Sequence, residues 1–101
     1  MVDISFITIN YNSSQYTISL VESIIKNSSD ILYEIIIVDN ASKKDDLFKL
    51  KNFVSDKINI KLIESSINSG FASGNMLGIN YATGRYYFFI NYDCILLNNA
   101  S

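Results

Sequence analysis

Residues 34–42 read Glu34-Ile35-Ile36-Ile37-Val38-Asp39-Asn40-Ala41-Ser42. Side chains alternate between the two faces of a strand, so the successive apolar positions before Asp39 make both faces of this one apolar. Only a strand covered on both sides can afford that, which points to the centre of a parallel sheet with helices packed on each face. The β-branched residues suit a pleated backbone, and Asp39-Asn40 ends the run with turn-forming side chains.

Working outward, the same alternation of strand and helix extends in both directions. Upstream, Ile4–Ile9 form a short apolar run that predicts another strand. The polar cluster Asn10-Tyr11-Asn12-Ser13-Ser14 follows, with Ser13 or Ser14 as a helix N-cap. Ile18, Val21, Ile24 and Ile25 then recur at helical spacing until Asn27-Ser28-Ser29-Asp30 stops the helix. Downstream, a helix is predicted over Lys44–Val54, with Leu47, Leu50 and Val54 on one face, and a strand over Ile58–Ile63. A glycine-bearing loop, Asn68-Ser69-Gly70-Phe71, leads to a third helix over Ala72–Ala82. Gly84 is expected to stop that helix as a left-handed C-cap, before a fourth strand over Tyr86–Ile90. The β-α-β-α-β-α-β order predicts an α/β fold: a Rossmann-like, mostly parallel sheet with helices on both faces. No linker or repeat divides residues 1–101, so one domain is expected. The apolar Ile95-Leu96-Leu97 has little to pack on, and the chain reads as truncated.

Composition bounds the chemistry. The 101 residues are 49% hydrophobic and 18% charged, an ordinary globular balance, and the net charge of −2 gives no electrostatic reason to bind nucleic acid. Lys43, Lys44, Lys49 and Lys51 alternate with acids, as on a solvated helix face. The chain has no histidine, which excludes a Ser-His-Asp triad and a His-ligated zinc within it. Any metal must therefore be held by oxygen, which favours Mg²⁺ or Mn²⁺. The single cysteine, Cys94, fits a reducing compartment and reads as a small buried hydrophobe. With no basic segment before the first apolar run, no signal peptide is expected, and the expected location is the cytoplasm.

In open α/β sheets ligands bind beyond the carboxyl ends of the strands. Those ends carry Asn10-Tyr11-Asn12, Asp39-Asn40-Ala41-Ser42, Glu64-Ser65-Ser66 and Asn91-Tyr92-Asp93. Asp39 could accept hydrogen bonds from a base or a ribose, or it could simply cap the turn that follows; position alone leaves both open. Asp93 could ligate a divalent cation that bridges phosphates, or form another Asx turn. Gly70, Gly74 and Gly78 are spaced by four and follow the third strand, so they form no dinucleotide fingerprint. Tight helix–sheet packing is the expected use of Gly78. Tyr11 and Phe71 could stack on a base or only pack.

Taken in order, these segments resemble the N-terminal half of family 2 glycosyltransferases of the GT-A fold. The family's first strand ends in Thr-Tyr-Asn, matched by Asn10-Tyr11-Asn12, and its second in Val-Asp-Asn-Ala/Gly-Ser, matched by Val38–Ser42. Its rhamnosyltransferase-like branch carries Asn-x-Gly-Phe-Ala-x-Gly-Asn-Asn-x-Gly-Ile-x-x-Ala, matched over Asn68–Ala82. A variant of Asp-x-Asp falls on Asn91-Tyr92-Asp93. The resemblance implies that Asn10, Tyr11, Asn12, Asp39 and Asn40 contact the nucleotide. Asn68, Gly70, Phe71 and Asn75 would close over the nucleotide-sugar beside Asn91, and Asp93 would hold Mg²⁺ or Mn²⁺ on the diphosphate of a UDP- or dTDP-sugar. It further implies inverting transfer to a glycan or lipid-linked acceptor, in building bacterial surface polysaccharide, at the inner face of the membrane. Asn10 stands where the family has Thr, a change of small consequence if that residue acts through its backbone. Met76 replaces the second Asn of the loop. No residue matches the family's catalytic base, so the chain alone is expected to be inactive, and an exposed half-core would favour a homodimer. A sugar nucleotidyltransferase and a non-catalytic or degenerate nucleotide-binding module are the alternatives.

Overall fold

The computed structural model describes residues 2–28, 30–65 and 77–90. Its elements are β1 (Ile4–Asn10), α1 (Ser14–Asn27), β2 (Tyr33–Asn40), α2 (Lys44–Val54), β3 (Ile60–Ser65) and β4 (Tyr86–Phe89). Residues 77–81 are also helical. The strands form one parallel sheet in the order β3-β2-β1-β4. This is the α/β architecture that the run at residues 35–38 predicts, and all four of those side chains are fully buried.

The two faces of the sheet divide the core. Phe6, Ile35, Ile37 and Ile60 pack with Leu20, Val21 and Ile24 of α1 and Leu50 of α2. On the opposite face Ile7, Ile36 and Val38 meet Leu77, Ile79 and Ala82. Burying one such aliphatic side chain contributes about 1.5–3 kcal/mol, and β2 supplies two to each face. Gly78 lies where a Cβ would stand 2.5 Å from Ile7 Cγ2 and 3.3 Å from Val38 Cγ2, so its missing side chain is what lets the helical segment sit close to the sheet.

Several boundaries differ from the sequence expectation. β2 runs two residues further, taking in Asp39 and Asn40, because its neighbours extend alongside it: Asn10 pairs with Asp39, which pairs with Glu64. β3 begins at Ile60, not Ile58; Ile58 is fully exposed in a turn, where the Lys57 amide donates to Val54 O. β4 ends at Phe89, one residue early. Gly84 is no left-handed cap, since its φ lies outside that region. A Cβ there would come 2.5 Å from Ser5 Oγ and 2.7 Å from Ser5 N, so the glycine serves close passage of the chain beside β1.

That passage is locked from β2. Glu34, only 4% exposed, accepts bonds on Oε2 from Ser5 Oγ (2.6 Å), Thr83 N (2.6 Å) and Thr83 Oγ1 (3.1 Å). Lys61 Nζ lies 3.1 Å from Oε1, and the Gly84 amide donates to Ser5 Oγ at 2.8 Å. Burial pushes the Glu34 pKa up, but the bonds from Ser5, Thr83 and Lys61 outweigh it and hold the group below its ordinary value of 4.5. The network sits at the amino end of the sheet, away from the strand ends expected to bind ligand.

Candidate functional site

The chain runs outward from β1 to β2 to β3 and then returns to place β4 on the far side of β1. This reversal at β1 is a topological switch point, and it puts Asn10, Asn40 and Ser65 at one carboxyl edge.

Asn10 is the hub of that edge and is fully buried. Its Nδ2 donates to Asp39 Oδ1 and to Asp46 Oδ2, both at 2.9 Å, with Ser42 Oγ a longer neighbour at 3.2 Å. Its Oδ1 accepts from Thr17 Oγ1 at 2.7 Å and Ser13 Oγ at 3.2 Å. An amide is suited to this position: two N–H groups face two carboxylates while the carbonyl takes two hydroxyls. The Asn10 side chain therefore joins β1, β2, α1 and α2, so replacing it is of consequence for the fold whatever its backbone contacts.

Asp39 is 1% exposed, and both oxygens are engaged: Oδ1 by Asn10 and Oδ2 by the Ser42 amide at 3.1 Å. The turn-capping reading of this residue is thus realised. Each oxygen keeps a second acceptor position, so a ligand N–H or O–H remains compatible with it. Asn12, with φ 50°, is exposed and ties the first loop to the second: its amide donates to Ser42 Oγ at 2.9 Å, and its Oδ1 accepts from the Lys43 amide at 2.8 Å. Ala41 has φ 61°, a left-handed conformation that glycine adopts without cost, at the position where the matched motif alternates Ala with Gly. Asn40 is buried at the end of β2. Tyr11 is 52% exposed beside these groups.

Asp39, Ala41, Ser42, Leu47, Glu64 and Ser65 line a cavity of about 480 Å³ at the ends of β2 and β3. A second, of about 400 Å³, continues past Leu47 and Glu64 to Lys44, Phe48 and Lys51, where Lys51 Nζ lies 3.3 Å from Glu64 Oε2. Asn10, Tyr11, Asn12, Asp39 and Asn40 are thereby brought to one edge. Asn68, Gly70, Phe71, Asn75, Asn91 and Asp93 lie outside the described residues, as does Cys94. Among the described residues no group of three or more acidic or sulfur side chains could hold a metal ion. No helix among them is long and apolar enough to cross a membrane.

Sequence reasoning missed Asp46. Its Oδ1 accepts the Ser14 amide at 3.0 Å, whereas Ser13, at the N-cap position, makes no side-chain cap bond. Burial raises the Asp46 pKa, but bonds from Asn10 and Ser14 and the charge of Lys49 overcome it and hold the carboxyl below its ordinary 3.8. The available signal was an acid in the first turn of α2, where the helix dipole favours negative charge.

Residues 5–100 match the family described as "Glycosyl transferase family 2". The chain is 32% identical over 72 residues to polypeptide N-acetylgalactosaminyltransferase 11 of Xenopus tropicalis, covering 68% of this chain and 12% of that protein. S. aureus TarS 1–349 in complex with UDP-GlcNAc superposes with a TM-score of 0.77 at 25% identity, over 98% of this chain and 30% of that one. Mannosyltransferase PcManGT from Pyrobaculum calidifontis, in complex with GDP-Man and Mn²⁺, shares the fold with a TM-score of 0.78 at 19% identity, over 89% of this chain and 27% of that one. The chain thus spans about an eighth of the curated relative and under a third of each structure. With its parallel sheet, its switch point at β1 and a family match over nearly its whole length, the chain belongs to glycosyl transferase family 2 and carries the α/β core of the GT-A fold.

Proposed function

We propose that the carboxyl edge of the sheet binds the nucleoside part of a nucleotide-sugar donor, a UDP- or dTDP-sugar. The observation that carries this is the cavity between the ends of β2 and β3, walled by Asp39, Ser42, Glu64 and Ser65. Carboxylates and hydroxyls accept from base N–H and ribose O–H groups. They repel a bare diphosphate, which must lie elsewhere or carry a cation. Tyr11 offers an exposed ring for stacking on the base. The solved complexes of TarS with UDP-GlcNAc and of PcManGT with GDP-Man support a donor of this chemical class.

Mg²⁺ or Mn²⁺ would be held through Asp93, the residue that falls on the family's Asp-x-Asp motif. When bound, such an ion neutralises charge developing on the leaving nucleoside diphosphate. The whole protein would then transfer the sugar with inversion to a glycan or lipid-linked acceptor at the cytoplasmic face of the membrane, in bacterial surface polysaccharide synthesis. The rhamnosyltransferase-like loop at Asn68–Asn75 and a homodimer belong to the same reading. Family membership favours a glycosyltransferase over a nucleotidyltransferase. Calorimetric titration with UDP- and dTDP-sugars, with and without Mn²⁺, tests the proposal. Metal-dependent binding that Asp93→Ala abolishes is expected. A well-folded protein that binds no nucleotide would instead be the degenerate module.

A further inference from the structure

The Asn10 NH₂ and the first amide of α1 share one acceptor side chain, and it belongs to neither strand end. We propose that Asp46 is a positioning residue of the nucleotide site, clamping both ends of the Tyr11–Ser13 segment so that it is already in place when a nucleoside diphosphate arrives. This rests on the reading of the carboxyl edge given above.

The geometry is specific. Asp46 Oδ2 holds the Asn10 amide at 2.9 Å and Oδ1 holds the Ser14 amide at 3.0 Å, so one carboxylate fixes residues 10 and 14 together. Between those points lie Tyr11, half exposed, and Asn12, whose left-handed backbone is pinned to Ser42 and Lys43. Ser13 leaves the first amides of α1 uncapped by its own side chain, and the acid of α2 supplies the missing acceptor from another helix. Asp46 also shares the Asn10 amide with Asp39, so the orientation of the Asn10 group that Asp39 accepts from depends on it. A segment ordered before binding spends no binding energy on its own ordering.

Asparagine cannot replace this carboxylate. It has one acceptor oxygen, and its NH₂ would face either the Asn10 NH₂ or the Ser14 N–H, donor against donor. The test uses UDP, dTDP and GDP with Mn²⁺ as probes, titrated calorimetrically into the wild-type protein, Asp46→Asn, Asp46→Glu and Glu34→Gln. Glu34 lies in the network at the opposite end of the sheet, so its variant lowers stability without touching the carboxyl edge. We expect Asp46→Asn to fold and to bind the preferred nucleotide about tenfold or more weakly, a change of ~1.4 kcal/mol per tenfold. Asp46→Glu, which keeps both acceptors, should recover part of that loss, and it carries the comparison if Asp46→Asn does not fold. Glu34→Gln should bind as the wild type does. Wild-type affinity in folded Asp46→Asn, or in Asp46→Glu where Asp46→Asn does not fold, overturns the proposal, as does an equal loss of affinity in Glu34→Gln. A wild-type protein that binds none of the three nucleotides overturns the reading of the edge itself and this inference with it.

Discussion

Replacing Glu34 by Gln tests the lock that holds β4 and the preceding turn to the sheet. The carboxylate takes three donors on Oε2, from Ser5 and twice from Thr83, and faces Lys61 with Oε1. Glutamine can leave its carbonyl at the Oε2 position and turn its NH₂ toward Lys61. Lys61 is partly exposed and also donates to Tyr81 O at 3.1 Å, so it can withdraw toward solvent. The loss is therefore the charge-assisted part of these bonds. Bonds to charged groups are worth ~1.5–3 kcal/mol and neutral ones ~0.5–1.5, a difference of about 1 kcal/mol for each of the three bonds on Oε2, so the substitution costs about 3 kcal/mol in total. In a domain of this size that lowers Tm by roughly 10–20 °C.

The sign of the pH effect follows from the depressed pKa of Glu34. A carboxyl that is more acidic folded than unfolded contributes its full stability above the unfolded value, near its ordinary 4.5, and loses it as pH falls through the folded value. Wild type and Glu34→Gln should thus differ most near neutral pH and converge in acid. Thermal unfolding followed by circular dichroism, from about pH 7 down to about pH 3, reads this directly. A Tm difference that stays constant across that range, or one below about 2 °C at neutral pH, would refute the reasoning.

Two further substitutions test the backbone. Ala41→Gly relieves a left-handed alanine at φ 61° and should stabilise the protein by about 0.5–1 kcal/mol, read as a higher urea midpoint at unchanged slope; a lower midpoint contradicts it. Gly84→Ala forces a Cβ against Ser5 Oγ and the Ser5 backbone and should cost about 3 kcal/mol; a Tm within 2 °C or so of wild type would show that the chain can move away from β1 there.

The fold was legible because its strongest signal is local. Four apolar residues in a row at 35–38 demand cover on both faces, and helical spacing at Ile18, Val21 and Ile24 supplies part of it. The range Lys44–Val54 for α2 follows from the same periodicity. What periodicity cannot carry is where a strand ends when its neighbour decides. Asp39 and Asn40 are polar and read as a turn, but pairing with Asn10 on one side and Glu64 and Ser65 on the other keeps them in β2. At the site, Asn10, Tyr11, Asn12, Asp39 and Asn40 could be placed at one edge from strand order alone. The partners of the Asn10 NH₂ could not, because they come from 29 to 36 residues away, on β2, on the turn after it and on α2. Gly84 shows the same limit: a glycine after a helix reads as a cap, and only the proximity of Ser5, 79 residues away in sequence, reveals its actual use.

The central claim is that the carboxyl edge around Asn10 and Asp39 receives a nucleotide. The most direct measurement is a ¹H–¹⁵N spectrum of the labelled protein recorded through a titration with UDP, and separately with dTDP, in the presence of Mg²⁺. Saturable shifts are expected at Tyr11, Asn12, Ala41, Ser42 and Ser65, with the amides of Thr83 and Gly84 at the opposite end unmoved. A folded protein whose spectrum is unchanged by either nucleotide, or whose shifts cluster around Thr83 and Gly84, contradicts it.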